Sequence, residues 1–194
     1  MKQIVSETSD IIVTDEASTG HEALNMALTN DYDVIVLDIT MPGVNGLDVM
    51  KQIKKQKPKQ SILVLSVHPE EQYAIRVLKA GASGYLTKES ASDELIAAIR
   101  KISSGKKYIT PSLAEKLLFG LETDSEIPHH ESLSDREYQV LCMIASGKKI
   151  AEIAEDLFLS ENTIRTYRSR ILEKMNMKSN AELTRYAIRH GLAE

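Results

Sequence analysis

In the first half of the chain, short and fully apolar runs bounded by turn residues alternate with longer stretches whose apolar residues recur every three or four positions. The first pattern is typical of buried parallel strands and the second of amphipathic helices. The predicted strands cover residues 11–13, 34–38, 62–66 and 84–87, and the predicted helices cover residues 20–29, 47–56, 70–80 and 91–103. Strands that alternate with helices form βαβ units, so we expect an α/β domain with a parallel sheet covered by helices on both faces.

The strand pattern ends near residue 120, and the polar segment TDSEIPHHES follows at residues 123–132. Its polarity and its proline are typical of a linker. Four short helices are predicted after it, with serine N-caps at Ser134, Ser160 and Ser179. Glu137 and Glu182 follow two of these serines by three residues, which predicts capping boxes. We therefore expect the α/β domain to be followed by an all-α domain.

Length and composition agree with two small globular domains. The chain has 194 residues, of which 42% are hydrophobic and 27% charged, and this does not favour a disordered class. The apolar runs are too short to cross a membrane and Met1 begins no signal peptide, so we expect a cytoplasmic protein. The single cysteine, Cys142, excludes an intramolecular disulfide, and its apolar neighbours predict a buried, unreactive thiol. The pair His129–His130 has no ligand cluster at metal-binding spacing and is assigned to linker composition.

Three polar residues stand where predicted strands end: Asp38, Ser66 and Lys88. In a parallel sheet these ends meet at one edge, where open α/β sheets place their chemistry. A carboxylate can act there as the nucleophile of an aspartyl-phosphate site, while a hydroxyl and an ammonium hold the phosphoryl oxygens.

The segments VIVLDITMPG, ILVLS and KAGASGYLTK, in this order, resemble the receiver domain of two-component response regulators. The resemblance covers residues 1–105 and implies a flavodoxin-like fold. It also implies that Asp38 takes a phosphoryl group from a sensor histidine kinase, with Ser66 as the switch hydroxyl, Tyr85 as the aromatic that reorients and Lys88 as a phosphate contact.

Receiver domains also carry a first strand that ends in two acidic residues and binds Mg²⁺. Asp15–Glu16 imitates this pair, but only one helix fits between it and Asp38. The segment EASTGHEAL instead resembles the second strand running into the second helix, which puts residues 1–5 on the last turn of the first helix. Since the first strand is central in the order 2-1-3-4-5, its absence predicts a gap between strands two and three.

Two explanations of the missing strand stay open: a true start that lies upstream, which the intact residues at the other strand ends favour, or a degenerate receiver. In either case Mg²⁺ would keep only Asp38 and the Thr40 backbone carbonyl as protein ligands in this chain. We therefore expect weak or absent Mg²⁺ binding.

The second domain carries a basic stripe in a protein of net charge −4, with five basic residues and one acidic residue between Arg165 and Lys178. A helix over residues 161–175 would bury Ile164, Ile171 and Met175. A preceding helix over residues 150–157, joined to it by a short turn, predicts a helix-turn-helix whose second helix is basic and exposed.

Residues 133–175, LSDREYQVLCMIASGKKIAEIAEDLFLSENTIRTYRSRILEKM, resemble the LuxR-type helix-turn-helix. Together with the receiver, the whole chain is similar to NarL/FixJ-type response regulators. Tyr167 stands where that family commonly has histidine, and Lys149 replaces the usual serine or threonine cap. Both residues remain compatible with phosphate contacts.

The outward side of the recognition helix predicts how DNA is read. Arg165, Thr166 and Ser169 should meet base edges. The flanking residues expected to meet phosphates are Lys148, Lys149, Thr163, Tyr167, Arg168, Arg170 and Lys174. Binding as a homodimer is expected, with Leu183, Tyr186 and Ala187 of the last helix as the self-complementary face. The alternative, that these residues only close the core of their own domain, is at least as well supported for Leu183.

We therefore predict a receiver lacking its first strand at residues 1–105, a linker with a short helix at 106–132 and a LuxR-type DNA-binding domain at 133–194. The predicted function is DNA-binding transcription regulation controlled by phosphorylation of Asp38, or alternatively phosphorylation-independent regulation with a degenerate receiver. We do not expect an enzyme, because a haloacid-dehalogenase-like phosphatase needs a second aspartate where Thr40 stands. A protein that only sequesters partners is disfavoured by the intact recognition helix.

Overall fold

The computed structural model describes residues 4–5, 8–41, 44–115 and 128–193. The chain divides into two compact units, Met1–Leu117 and Leu118–Glu194. Residues 1–3, which the predicted first helix includes, and Pro42–Gly43, which follow the Asp38 strand, lie outside the described residues. Residues 4 and 5 are helical, as expected for the end of that helix.

The first unit is an α/β domain, as predicted. Its strands β1 (Ile35–Asp38), β2 (Ile62–Ser66) and β3 (Gly84–Thr87) form a parallel sheet in the order β1-β2-β3. Its helices are α1 (Gly20–Thr29), α2 (Gly46–Gln56), α3 (Glu70–Lys79) and α4 (Ala91–Ser103). These bounds match the predicted ones to within one residue at each end.

Burial explains the order of the strands. All five residues of β2 are buried, as expected for a strand with neighbours on both sides and helices on both faces. Leu63 and Leu65 of β2 and Leu86 of β3 pack with Leu95 and Ile102 of α4 in one core cluster. Burial of each such side chain contributes about 1.5–3 kcal/mol, so this cluster is a main source of stability for the unit.

The predicted strand at residues 11–13 is wrong: the segment has no regular secondary structure and pairs with no strand of the described sheet. Ile11 packs against the core cluster, whereas Ile12 is 82% exposed and Val13 is 46% exposed. A strand requires a hydrogen-bonded neighbour, and the part of the chain that the structure describes places none beside this segment. Among the described residues β1 is an edge strand, in agreement with the gap expected between strands two and three.

The first part of the predicted linker packs on the first unit. Tyr108 forms a parallel bridge with Gly84, and its N–H donates to the Ser83 carbonyl at 2.8 Å. Residues 111–115 are helical, with Thr110 as the cap: its hydroxyl accepts from the Leu113 N–H at 3.2 Å and donates to the Glu70 carboxylate at 2.8 Å. Residues 116–127 lie outside the described residues.

The second unit contains the four predicted helices: α5 (Asp135–Ala145), α6 (Ile150–Asp156), α7 (Glu161–Lys174) and α8 (Asn180–Arg189). A 3₁₀ helix, His129–Ser132, precedes them. Ile164 and Ile171 of α7 and the following Met175 are buried, as predicted. Cys142 on α5 is buried as well, which agrees with an unreactive thiol.

The three serine caps are confirmed, with one correction. Ser134 and Glu137 form the complete capping box predicted for α5. Ser179 accepts from the Glu182 N–H at 3.3 Å, but the Glu182 carboxylate accepts from the Lys178 N–H at 2.7 Å and not from Ser179, so the second predicted box is incomplete. A carboxylate at this position reaches either of two neighbouring N–H groups, and local backbone geometry decides between them.

Lys149 is the N-cap of α6 and supplies no side-chain cap, because an ammonium has no acceptor. Its own N–H donates to the Glu152 carboxylate at 2.8 Å, which satisfies one N–H at this end of the helix. Of the helices in the described residues, none is long and apolar enough to cross a membrane.

Candidate functional site

The ends of β1 and β3 bring Asp38 and Lys88 together, as predicted. The Asp38 Oδ2 lies 2.5 Å from the Lys88 Nζ, and the Asp38 Oδ1 accepts from the Thr40 N–H at 2.9 Å. The Asp38 side chain is 25% exposed and that of Lys88 is 42% exposed. Both carboxylate oxygens are thus held by N–H donors, and the pair remains accessible from solvent.

The N-terminus of α2 packs closely against the backbone of Asp38. The Gly46 N–H donates to the Ile39 carbonyl at 3.1 Å, and the Asn45 side chain caps the helix by accepting from the Leu47 N–H at 3.0 Å. A Cβ atom on Gly46 would lie 2.0 Å from the Asp38 carbonyl oxygen. Only glycine permits this close approach of helix and strand.

The predicted switch residues are joined by hydrogen bonds around the loop after β2. Ser66 is fully buried, and its hydroxyl accepts from the His68 N–H at 3.1 Å. The Tyr85 ring is 1% exposed, and its hydroxyl donates to the His68 carbonyl at 2.7 Å. The Lys88 N–H donates to the Ser66 carbonyl at 2.7 Å. A displacement of this loop would therefore act on Ser66 and Tyr85 together.

The expected Mg²⁺ ligands, Asp38 and the Thr40 backbone carbonyl, are not accompanied by an acidic cluster in the described residues. The described part of the chain contains no group of three or more His, Cys, Asp or Glu side chains that could hold a metal ion. Both Asp38 oxygens already accept from N–H donors, and Asp15 accepts from the Tyr32 hydroxyl at 2.9 Å. The Thr40 hydroxyl is buried without a hydrogen-bond partner.

In the second unit, α6 and α7 form the predicted helix-turn-helix. The turn between them buries Leu157 and carries Phe158, whose backbone has φ = 55° and whose side chain is 61% exposed. The outer side of α7 is exposed at Arg165, Thr166, Ser169 and Arg170, whereas Thr163, Tyr167 and Arg168 are half-buried.

Several of the predicted DNA contacts already have partners within the chain. Four basic side chains are bonded to an acidic or amide side chain: Arg165 to Glu161 at 2.9 Å, Lys148 to Asp156 at 2.6 Å, Arg168 to Asn180 at 2.6 Å and Lys174 to Glu137 at 2.6 Å. The Thr166 hydroxyl donates to the carbonyl of Asn162 at 2.9 Å. Within the described part of the chain, Lys149 and Arg170 have no ion-pair partner.

Sequence reasoning missed the acidic and amide partners of these side chains. Glu161 stands four residues before Arg165, a spacing at which a glutamate and a basic residue meet on a helix, so this pair was detectable. The Lys174–Glu137 and Arg168–Asn180 contacts join different helices, and no spacing rule predicts them. The Glu137 side chain is 4% exposed, so the carboxylate that holds Lys174 is buried in the domain.

The predicted self-complementary face on α8 is wrong for Leu183 and Ala187. Both are fully buried within the domain, where α8 packs against α5. Tyr186 is half-buried: its hydroxyl lies 2.9 Å from His130 Nδ1, and its ring stacks on His190 with a centroid distance of 3.9 Å. The large apolar side chain that α8 exposes is Ile188, at 52%.

Two family models match the chain. Residues 1–100 match the response regulator receiver domain, and residues 131–187 match the luxR family of bacterial regulatory proteins. Together they cover both structural units.

Relatives match over nearly the full chain. The response regulator UvrY of Escherichia coli strain K12 is 39% identical over 99% of this chain and 88% of its own length. The response regulator GacA of Pseudomonas aeruginosa is 34% identical over 99% of this chain and 90% of its own length. A solved structure of RcsB from Salmonella enterica serovar Typhimurium, bound to promoter rprA with a phosphomimetic, is 25% identical with a TM-score of 0.60, over 95% of this chain and 89% of that one. The chain therefore belongs to the response regulators that join a receiver domain to a LuxR-type helix-turn-helix domain.

Proposed function

We propose that this chain is a transcription regulator that binds double-stranded DNA as a homodimer through α7 and is controlled by phosphorylation of Asp38 by a sensor histidine kinase. The observation that carries the DNA-binding part is the exposed side of α7, where Arg165, Thr166, Ser169 and Arg170 stand opposite the buried Ile164 and Ile171. RcsB, which shares this architecture, has been solved on a promoter, and this supports the same role here.

For the receiver we propose Asp38 as the phosphoryl acceptor. One of its carboxylate oxygens attacks the phosphorus of a kinase phosphohistidine; an O–P bond forms as the N–P bond breaks, and the imidazole leaves with the electron pair. The Lys88 ammonium lies 2.5 Å from Asp38 Oδ2. From this position it would stabilise the negative charge on a phosphoryl oxygen. The buried Ser66 hydroxyl, which accepts from the His68 N–H, would donate its own O–H to another phosphoryl oxygen.

For the DNA-binding domain we propose two classes of contact. Arg165, Thr166 and Ser169 project from the first turns of α7 and read base edges, with the arginine bidentate to a guanine. The residues proposed to contact phosphates are Lys148, Lys149, Thr163, Tyr167, Arg168, Arg170 and Lys174. Of these, Lys174 is expected to contribute least, because its ammonium is held by the Glu137 carboxylate.

The test uses a duplex that the 194-residue protein selects from a randomised library, together with an unrelated duplex. Both affinities are measured over a salt series for the unaltered protein, Arg165→Ala and Lys149→Ala. We expect Arg165→Ala to lose about 1–3 kcal/mol of discrimination at one base pair. Lys149→Ala is the matched control: it should weaken both duplexes alike and reduce the salt slope by about one unit. If Arg165→Ala weakens both duplexes equally, Arg165 is a phosphate contact.

A second candidate is a regulator whose DNA binding does not depend on phosphorylation. It is favoured by the absence of a metal-binding cluster in the described residues. The two candidates differ in the response to a phosphodonor: DNA affinity that changes for the unaltered protein and not for Asp38→Asn supports phosphorylation control. Equal DNA affinities of the unphosphorylated protein and of protein whose phosphorylation at Asp38 is confirmed by intact mass spectrometry support the second candidate.

A further inference from the structure

Glu161, the first residue of α7, binds the arginine that is proposed to read DNA. Its Oε2 accepts from the Arg165 Nη2 at 2.9 Å, and the two side chains are 50% and 63% exposed. Ser160 caps the helix just before Glu161 by accepting from the Thr163 N–H at 3.1 Å. The carboxylate therefore lies on the exposed first turn of α7, beside Arg165.

Local forces favour this arrangement. A carboxylate in the first turn interacts favourably with the helix dipole, and a glutamate four residues before an arginine is the better order of the two. An ion pair this exposed contributes little to folding, because water screens both charges. Folding stability therefore gains little from placing an acidic side chain at the end of α7 that carries the proposed base-reading residues.

The same carboxylate has a marked effect in a DNA groove. It repels phosphates, and in the major groove it accepts a hydrogen bond only from an exocyclic amino group, of which the cytosine N4 group is the usual partner of a glutamate. Where Arg165 donates to a guanine through its remaining N–H groups, Glu161 is close enough to face a neighbouring base pair. On a sequence without a suitably placed amino group, the carboxylate is left desolvated and unpaired, which costs binding free energy.

We infer that Glu161 is a specificity-determining residue: it holds the Arg165 guanidinium and requires a cytosine amino group beside the guanine that Arg165 reads. This inference rests on the proposed DNA-binding role of α7 and adds a requirement to it. Glu161 lowers affinity for DNA in general and restores it only on sequences that satisfy its carboxylate.

The experiment compares Glu161→Gln, Glu161→Ala and the control Glu173→Gln, which removes an exposed carboxylate near the other end of the same helix. The DNA probes are the duplex selected by the unaltered protein, its single base-pair variants and an unrelated duplex. Removing the Glu161 charge should raise affinity for the unrelated duplex about fivefold to tenfold at about 0.1 M salt and steepen the salt slope by about one unit. Glu173→Gln should change these quantities much less.

The base preferences of the two Glu161 variants distinguish the effect of the carboxylate charge from the effect of its hydrogen bond to a base. Glu161→Ala should lose about tenfold in discrimination for one cytosine, and Glu161→Gln should shift the preference at that position to adenine, the usual partner of glutamine. The inference is overturned if both variants keep the base preferences of the unaltered protein, or if they behave like Glu173→Gln. If the unaltered protein selects no sequence from the library, both the proposed DNA-binding function and this inference fail. If the unaltered protein is selective but the Glu161 variants keep its selectivity, only this inference fails.

Discussion

The ammonium of Lys174, at the end of the recognition helix α7, lies 2.6 Å from the carboxylate of Glu137, which also accepts from the Ser134 N–H at 2.8 Å. One buried carboxylate therefore completes the cap of α5 and holds the far end of α7. The orientation of the recognition helix in the domain depends in part on this contact.

Lys174→Ala should destabilise the second unit by about 1–2 kcal/mol, because it leaves a buried carboxylate without its cation while the half-exposed lysine limits the loss. Urea unfolding followed by circular dichroism measures the change. Lys178→Ala, which removes an exposed lysine just beyond α7, is the control and should stay within about 0.5 kcal/mol of the unaltered protein. Equal stabilities of the two variants would contradict a structural role for Lys174.

The stability of the second unit should also fall in acid because of Glu137. Burial alone would raise the pKa of Glu137, but the bonds from Lys174 and Ser134 outweigh burial and lower this pKa below its usual value of 4.5. The stabilisation is therefore complete above pH 4.5 and is lost as the pH falls through the lower pKa of the folded state. Unfolding free energies between pH 3 and pH 7 should show a smaller acid loss for Glu137→Gln. Parallel pH profiles of the two proteins would count against this assignment.

Asp38 should be phosphorylated slowly or not at all by small phosphodonors in the 194-residue protein. The reason is that the described residues offer no metal-binding cluster beside Asp38 with which Mg²⁺ could position a phosphodonor. Incorporation is measured by intact mass spectrometry after exposure to acetyl phosphate with and without Mg²⁺, with Asp38→Asn as the control. Rapid, Mg²⁺-dependent labelling that Asp38→Asn abolishes would refute the prediction.

Phe158→Gly should stabilise the helix-turn-helix. Phe158 has φ = 55°, a left-handed backbone that costs a residue with a bulky side chain about 1–2 kcal/mol, and 61% of its side chain is exposed, so little burial is lost. After the greater entropy of glycine in the unfolded chain is subtracted, a gain of about 0.5–1 kcal/mol is expected in thermal unfolding. Asn176→Gly is the matched control at φ = 53°, where asparagine tolerates the backbone better and the gain should be smaller. A loss of stability in Phe158→Gly would mean that the aromatic ring makes a contact worth more than the strain.

Two neighbouring substitutions on α8 should have different consequences. Ala187→Glu should unfold the second unit, because position 187 is fully buried, whereas Ile188→Glu should keep the fold. If Ile188 belongs to a dimer contact, Ile188→Glu should also reduce cooperativity on a palindromic duplex by up to tenfold, as read from gel-shift titrations. Unchanged cooperativity in a folded Ile188→Glu protein would place the dimer contact elsewhere.

The elements that lie against a core could be predicted from the sequence, because the buried side of a helix or strand requires apolar residues at regular spacing. Strand 62–66 is apolar on both faces since it is central, and helix 91–103 buries one side against it; both have the predicted bounds. The Asp38–Lys88 pair was also predictable, since parallel strands bring their carboxyl ends to one edge. The spacing of Ile164 and Ile171 predicted that α7 has one buried and one exposed side.

Tertiary structure decided the features that depend on a distant partner. Residues 11–13 have the composition of a strand, but a strand forms only beside another one, and β1 is an edge strand among the described residues. Ala187 was predicted on the surface and is buried, because the packing of α8 against α5 selects which side of the helix faces inward. Lys174 was predicted to contact a DNA phosphate. In the structure its ammonium is held by Glu137, 37 residues earlier in the chain. Local patterns follow from each residue's own preference for water or for the interior, whereas pairings between distant residues are set only when the whole chain has packed.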